Sequence, residues 1–147
     1  MKRFQFNLEA LVNVRHMHEE QAQMHFSRSI QLLNAAKSQL EALLNLTEIT
    51  RKEWQQVLGE KKTIDDFTLY SSYIKKLTMQ SEQQQLEVIK AEKFHQECLI
   101  AYQEARKKRK IVERLKEKKR QQYFHDVLAE EQKFLDEIAT QRYHRKM

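Results

Sequence analysis

One glycine and no proline occur in 147 residues, and that scarcity constrains the fold more than any other feature. Tight turns draw on those two residues for backbone angles that others avoid. A β-sandwich or an α/β domain with six or more connections therefore has almost nothing to build its turns from. Long helices remain. Leu, Ile, Val, Phe and Met recur at helical spacing throughout, which separates the chain from a disordered one.

Through the first half a 3-4 alternation runs from Leu8 along Val12, Ala22, Phe26, Leu33, Ala36, Leu40, Leu43, Trp54 and Val57 to Leu58. This is the seam of a coiled coil. The same register passes through Arg15, Glu19, Ser29, Thr47 and Thr50, so the stripe is imperfect and strongest between Leu33 and Leu43. The one break follows at Gly59 to Phe67, where glycine suits a helix C′ position and Thr63 with Asp66 resembles a capping box. A second alternation then runs through Ile74, Leu77, Ser81, Gln84, Val88, Ala91, His95, Cys98, Tyr102, Ala105, Arg109 and Val112, with mixed apolar spacing at Leu115, Phe124, Leu128, Leu135 and Ile138.

These patterns predict an all-α fold over residues 1–147 as a single domain: a long two-helix antiparallel coiled coil, or helical hairpin, with the second helix longer. Helix one is expected over about 5–58, the turn over 59–65 and helix two over 66–143. At 1.5 Å per residue the arms measure roughly 75 and 120 Å, which leaves about 20 residues of helix two unpaired beside both termini. A parallel dimer or a four-helix bundle is compatible with the same pattern; the short break favours the hairpin.

Charge is concentrated in one place. Residues 106–120 carry ten basic side chains (Arg106, Lys107, Lys108, Arg109, Lys110, Arg114, Lys116, Lys118, Lys119 and Arg120) and two acidic ones, a net of +8 in a chain whose total is +6. Local charge of that kind suits a docking patch for an acidic protein surface. Nucleic acid, whose phosphates release counterions to such a cluster, and a merely solvated helical face are the other two readings.

Chemistry-bearing constellations are missing. His16 and His18 point about 200° apart on a helix and lack the i, i+4 spacing of a zinc site, so no metal is expected. His95 falls on a seam, where packing explains it. No phosphate-binding glycine loop, nucleophile elbow or oriented Cys–His pair is present, so no enzyme, catalytic residue or cofactor is expected. Cys98 is the only cysteine, which suits a reducing compartment. The basic start of the chain leads into no apolar run, so neither a signal peptide nor a membrane span is expected.

Three short stretches carry a resemblance. They are the opening Phe4-x-Phe6-x-Leu8-x-x-Leu11, then Tyr70-x-x-Tyr73-Ile74-x-x-Leu77 after the break, and, beyond the basic run, Leu135-Asp136-Glu137-x-Ala139 followed by Arg142. In order and spacing over the whole chain they resemble the FliJ family, the small soluble component of the flagellar type III export apparatus. The resemblance implies an antiparallel coiled coil similar to the central stalk of rotary ATPases, inserted by its termini into the hexameric ring of the flagellar export ATPase. It implies a ring-facing end made of Phe4, Phe6, Leu8, Leu11, Leu135, Asp136, Glu137 and Arg142, and contact with the membrane-embedded export gate through Tyr73 and Leu77. Gln80 and Gln84 depart from the smaller or histidine residues of some relatives. Escort of export chaperones and a cytoplasmic location at the inner membrane, held there by the apparatus, are also implied. A generic coiled-coil tether or nucleic-acid-binding rod using residues 106–120 is the rival. Folding of the segment beyond about Phe124 only on a partner is a further alternative.

Overall fold

The structure, a computed structural model, describes residues 3–57 and 63–146, the last without its side chain. Two helices account for nearly all of it: α1, Glu9–Val57, of 49 residues, and α2, Ile64–Lys146, of 83. No strand occurs among the described residues. The fold is all-α with the second helix the longer.

The helix ends differ from the expected boundaries for local reasons. α1 begins at Glu9 and not near residue 5, because Phe4 and Phe6 are half-buried while Arg3, Gln5 and Asn7 are exposed. That period of two belongs to an extended segment and not to a helix. The Glu9 amide then donates to the Phe6 carbonyl at 3.1 Å and the Val12 amide to that of Leu8 at 3.0 Å. α2 begins at Ile64, two residues early, because Thr63 caps it: its hydroxyl accepts from the Asp66 amide and its own amide donates to the Asp66 carboxylate, both at 3.3 Å. This is the reciprocal arrangement of a capping box. At the other end α2 runs on past residue 143 to Lys146. The turn expected at Gly59 lies, as far as Lys62, outside the described residues.

The chain divides into two compact units: Met1–Gln21 with Gln103–Met147, called here the terminal unit, and Ala22–Tyr102, the central unit. In the central unit the helices pair antiparallel. The Trp54 ring lies against Tyr70 at 4.8 Å and Phe67 at 5.4 Å, and Phe26 lies against His95 at 5.3 Å and stacks on Tyr102 at 5.9 Å. Its buried residues, Ser29, Thr47, Thr50, Leu77, Ser81, Val88 and Cys98, all sit on the 3-4 lines.

Four of these seam residues are hydroxylic, and each solves its burial inside its own helix. Ser29 donates to Phe26 O, Thr47 to Leu43 O at 2.8 Å, Thr50 to Leu46 O at 2.8 Å and Ser81 to Leu77 O at 2.9 Å. A buried hydroxyl without a partner would oppose folding, whereas one bonded to the i−3 or i−4 carbonyl leaves its carbon atoms free to pack. The polar interruptions in the apolar pattern are thus part of the seam.

In the terminal unit the pairing is again antiparallel. Glu19 meets Arg109, Glu9 meets Lys116, and Phe4 meets Tyr123 at 5.6 Å, one chain number falling as the other rises. Val12 and Val112 are buried between them. Beyond Tyr123, α2 has no partner helix among the described residues.

Candidate functional site

The densest polar arrangement lies in the terminal unit and grows from the seam itself. Arg109 occupies an α2 seam position and is only 18% exposed. Its guanidinium donates from Nε and Nη2 to the Glu19 carboxylate and from Nη1 to Glu113 Oε2 at 2.7 Å. The other oxygen of Glu113 lies 2.7 Å from His16 Nε2, and Lys116 Nζ lies 2.8 Å from Glu9. Two interhelical contacts and one within α2 therefore converge on Arg109 and Glu113.

These contacts shift the groups they join. The hydrogen bond to Glu19, followed by that to Glu113, raises the Arg109 pKa above its ordinary value against the opposing effect of burial. At Glu113 burial acts to raise the pKa, but the hydrogen bond and charge of Arg109, followed by those of His16, outweigh it and hold the carboxyl below its ordinary value. The charged forms belong to the fold.

The basic run consequently divides in two. Of the ten-residue docking patch expected from the sequence, Arg109 and Lys116 are paired with α1 carboxylates, Arg109 largely covered and Lys116 still 37% exposed. Arg106, Lys107, Lys108, Lys110, Arg114, Lys118, Lys119 and Arg120 remain exposed. Among them Ile111 stands 66% exposed, and Arg120 lies 5.6 Å over the Phe124 ring.

The expected ring-facing residues fall into two groups. Phe4, Phe6 and Leu11 are half-buried and Leu8 is exposed, with Phe4 seated on Tyr123. Leu135, Asp136, Glu137 and Arg142 are exposed on the unpaired part of α2. At 1.5 Å per residue Leu135 lies about 18 Å further along the helix than Tyr123, so the two groups share a unit but do not touch.

Of the two expected gate residues, Leu77 is only 3% exposed and packs in the seam of the central unit. Leu77 therefore presents almost no surface of its own to a partner. Tyr73 stands 43% exposed on the flank, while Tyr70 turns inward onto Trp54. Gln84 is also a seam residue and donates to Ala36 O at 3.1 Å.

Among the described residues no three His, Cys, Asp or Glu side chains gather to hold a metal ion. No described helix is long and apolar enough to cross a membrane. Sequence reasoning missed the partners of Arg109. Glu19 was visible as a seam carboxylate and Arg109 as a seam cation, and pairing them needs only the antiparallel register; Glu113 stands four residues after Arg109, the i,i+4 spacing of a helical ion pair, while His16, which meets Glu113, falls beside the seam and carries no such signal.

Residues 4–147 match the family described as Flagellar FliJ protein. The chain belongs to the FliJ family. As a FliJ-family chain it is a coiled-coil protein associated with flagellar type III export. The solved structure of a YscO homolog from Chlamydia trachomatis is similar to it with a TM-score of 0.62 at 17% identity, covering 99% of each chain. At that identity the likeness concerns the fold. Among curated proteins no sequence matches this FliJ-family chain.

Proposed function

We propose that this protein acts as a stalk-like, non-enzymatic component of the flagellar export apparatus: its terminal unit docks into the hexameric export ATPase, promotes assembly and activity of that ring, and couples it to the export gate. Hydrolysis belongs to the ATPase, and the protein needs no cofactor. It works in the cytoplasm, held at the inner membrane by the apparatus, and export chaperones are further partners. The observation that carries this reading is the match to the family along residues 4–147. The exposure of Leu135, Asp136, Glu137 and Arg142 on helix without a partner supports the ring contact. On the gate side, Tyr73 is the surface contact and Leu77 holds the helix beneath it. The eight exposed cations face acidic surfaces of the ring or the gate.

Retention of the hexameric ATPase in a pulldown, with stimulation of its hydrolysis that weakens as salt rises, is the expected result. Reversing Lys107, Lys110, Arg114 and Lys118 to Glu tests the patch without touching Arg109 or Lys116. Unchanged stimulation and motility would reduce it to a solvated face. A second reading, binding of nucleic acid by the same eight cations, rests on their exposure. Salt-sensitive RNA or DNA binding without capture of the ATPase would favour it.

A further inference from the structure

Beyond Tyr123 the register of α2 changes. The seam passes through Val112, Lys116, Lys119 and Tyr123, and its continuation falls on Asp126, Glu130, Lys133 and Glu137, all charged. The apolar residues of this segment, Phe124, Val127, Leu128, Phe134, Leu135 and Ile138, lie roughly a third of a turn round the helix from that line. An extension of α1 along its own path would meet charge and not this stripe.

The stripe is open. Phe124, Leu128, Phe134 and Leu135 are each about half or more exposed. Tyr123, Val127, Phe134 and Leu135 line a groove of about 900 Å³ together with Asp126, Glu130 and Glu131, and Glu131 falls within the apolar stripe itself. Asp126 and Asp136 each accept an amide from the glutamine four residues before, at 3.1 Å, while no described cation pairs with Glu130, Glu131 or Glu137. A lone helix draws little stability from backbone propensity, and clustered exposed apolar side chains mark an interaction surface.

We infer that residues 124–143 dock an amphipathic helix of a partner protein whose apolar face is flanked by Lys and Arg. The apolar stripe supplies the seam for a second helix, and the unpaired carboxylates of Glu130 and Glu137 beside it, with Glu131 within it, select a partner rich in Lys and Arg. This deepens the proposed function at its C-terminal contact and rests on that reading, since Leu135, Asp136 and Glu137 belong to both.

The probe is a synthetic helical peptide of about 20 residues with Leu on its seam and Lys on both flanks, set against a matched peptide with Glu flanks and titrated into the full chain. The Lys peptide is expected to bind about tenfold or more tighter than the Glu peptide, a difference that shrinks as salt rises. Hydrogen exchange should slow at residues 124–143 and stay unchanged at Val12, Val88 and Val112. Phe134→Ser should abolish binding while leaving exchange at those three seam positions as it was, and Glu130→Lys with Glu131→Lys should reverse the peptide preference. Equal affinity for the two peptides, or protection confined to other residues, would overturn the inference. So would concentration-dependent self-association that Phe134→Ser removes, because the stripe would then belong to a second copy of this chain. Peptide selection without capture of the export ATPase would sink the ring reading and leave the inference standing. Capture of the ATPase by a chain that shows no peptide preference would do the reverse.

Discussion

Arg109 and Glu19 form an ion pair across the two helices at seam positions that a coiled coil ordinarily gives to apolar side chains; they are 18% and 15% exposed. One turn before Glu19 on α1, Arg15 Nε is buried without a hydrogen-bond partner. Glu19 and Glu113 together offset the Arg109 guanidinium. Removing one member of such a cluster strands the others in a poorly hydrated place.

Glu19→Leu alone is expected to lower stability by about 2 kcal/mol, less than the ~3–5 kcal/mol of a fully enclosed pair because the site is partly wet. Glu19→Leu combined with Arg109→Leu should recover most of that loss, since two apolar side chains then meet in the seam. Urea unfolding followed by circular dichroism measures both. A double variant weaker than the single one would show that the pair contributes net stability beyond avoiding a stranded charge.

Acid should loosen the same cluster through Glu113. Its carboxyl is held below its ordinary value, with burial opposing and Arg109 and His16 prevailing. Folding therefore draws on the charged form: the contribution is complete above the carboxyl's unfolded-state pKa and disappears as pH falls through the lower folded-state pKa. The urea midpoint of Glu113→Gln should lie below that of the natural chain near neutrality, and the gap should narrow as pH falls below the ordinary carboxylate range. A gap constant with pH would place the effect in packing or neutral hydrogen bonding.

The seam was legible in the sequence because the 3-4 spacing alone fixes which face is covered. Thr47, Thr50 and Ser29 looked like faults in that pattern, yet they are among its most buried members. The reason is local: a hydroxyl bonded to its own helix hides its polarity, which a count of apolar residues does not record. The Thr63–Asp66 cap was legible since both partners lie within one turn. The apolar stripe beyond Tyr123 was seen only as mixed spacing. Its offset emerges when Phe4 marks where α1's side of the pairing stops. Exposure of the basic run could not be read residue by residue, because the α1 carboxylates that engage Arg109 and Lys116 lie about 90 or more positions away.

Because the buried hydroxyls are satisfied within their own helices, their replacement should depend on size. Thr50→Val keeps the shape and exchanges a hydroxyl for a methyl group, and is expected to be neutral or to stabilise by up to about 1 kcal/mol. Ser29→Leu inserts a larger side chain where nothing is exposed to solvent and should cost about 1–3 kcal/mol. Thermal unfolding of the two variants checks the contrast. A loss at Thr50→Val matching that at Ser29→Leu would mean that the hydroxyl, and not volume, decides.

Tyr73 and Leu77 make the corresponding separation on the functional side. With 43% of Tyr73 exposed, Tyr73→Ala should change stability by less than about 0.5 kcal/mol while weakening binding to the export gate. Leu77, 3% exposed, should lose about 2–4 kcal/mol on truncation to Ala, through the cavity left in the seam. Any export defect of Leu77→Ala should then follow the fraction folded and recover at lower temperature or with a compensating stabiliser such as Thr50→Val. The Tyr73→Ala defect should persist in fully folded protein. Gate affinity, motility and unfolding measured on the same preparations distinguish contact from support, and intact gate binding by folded Tyr73→Ala would remove Tyr73 from the interface.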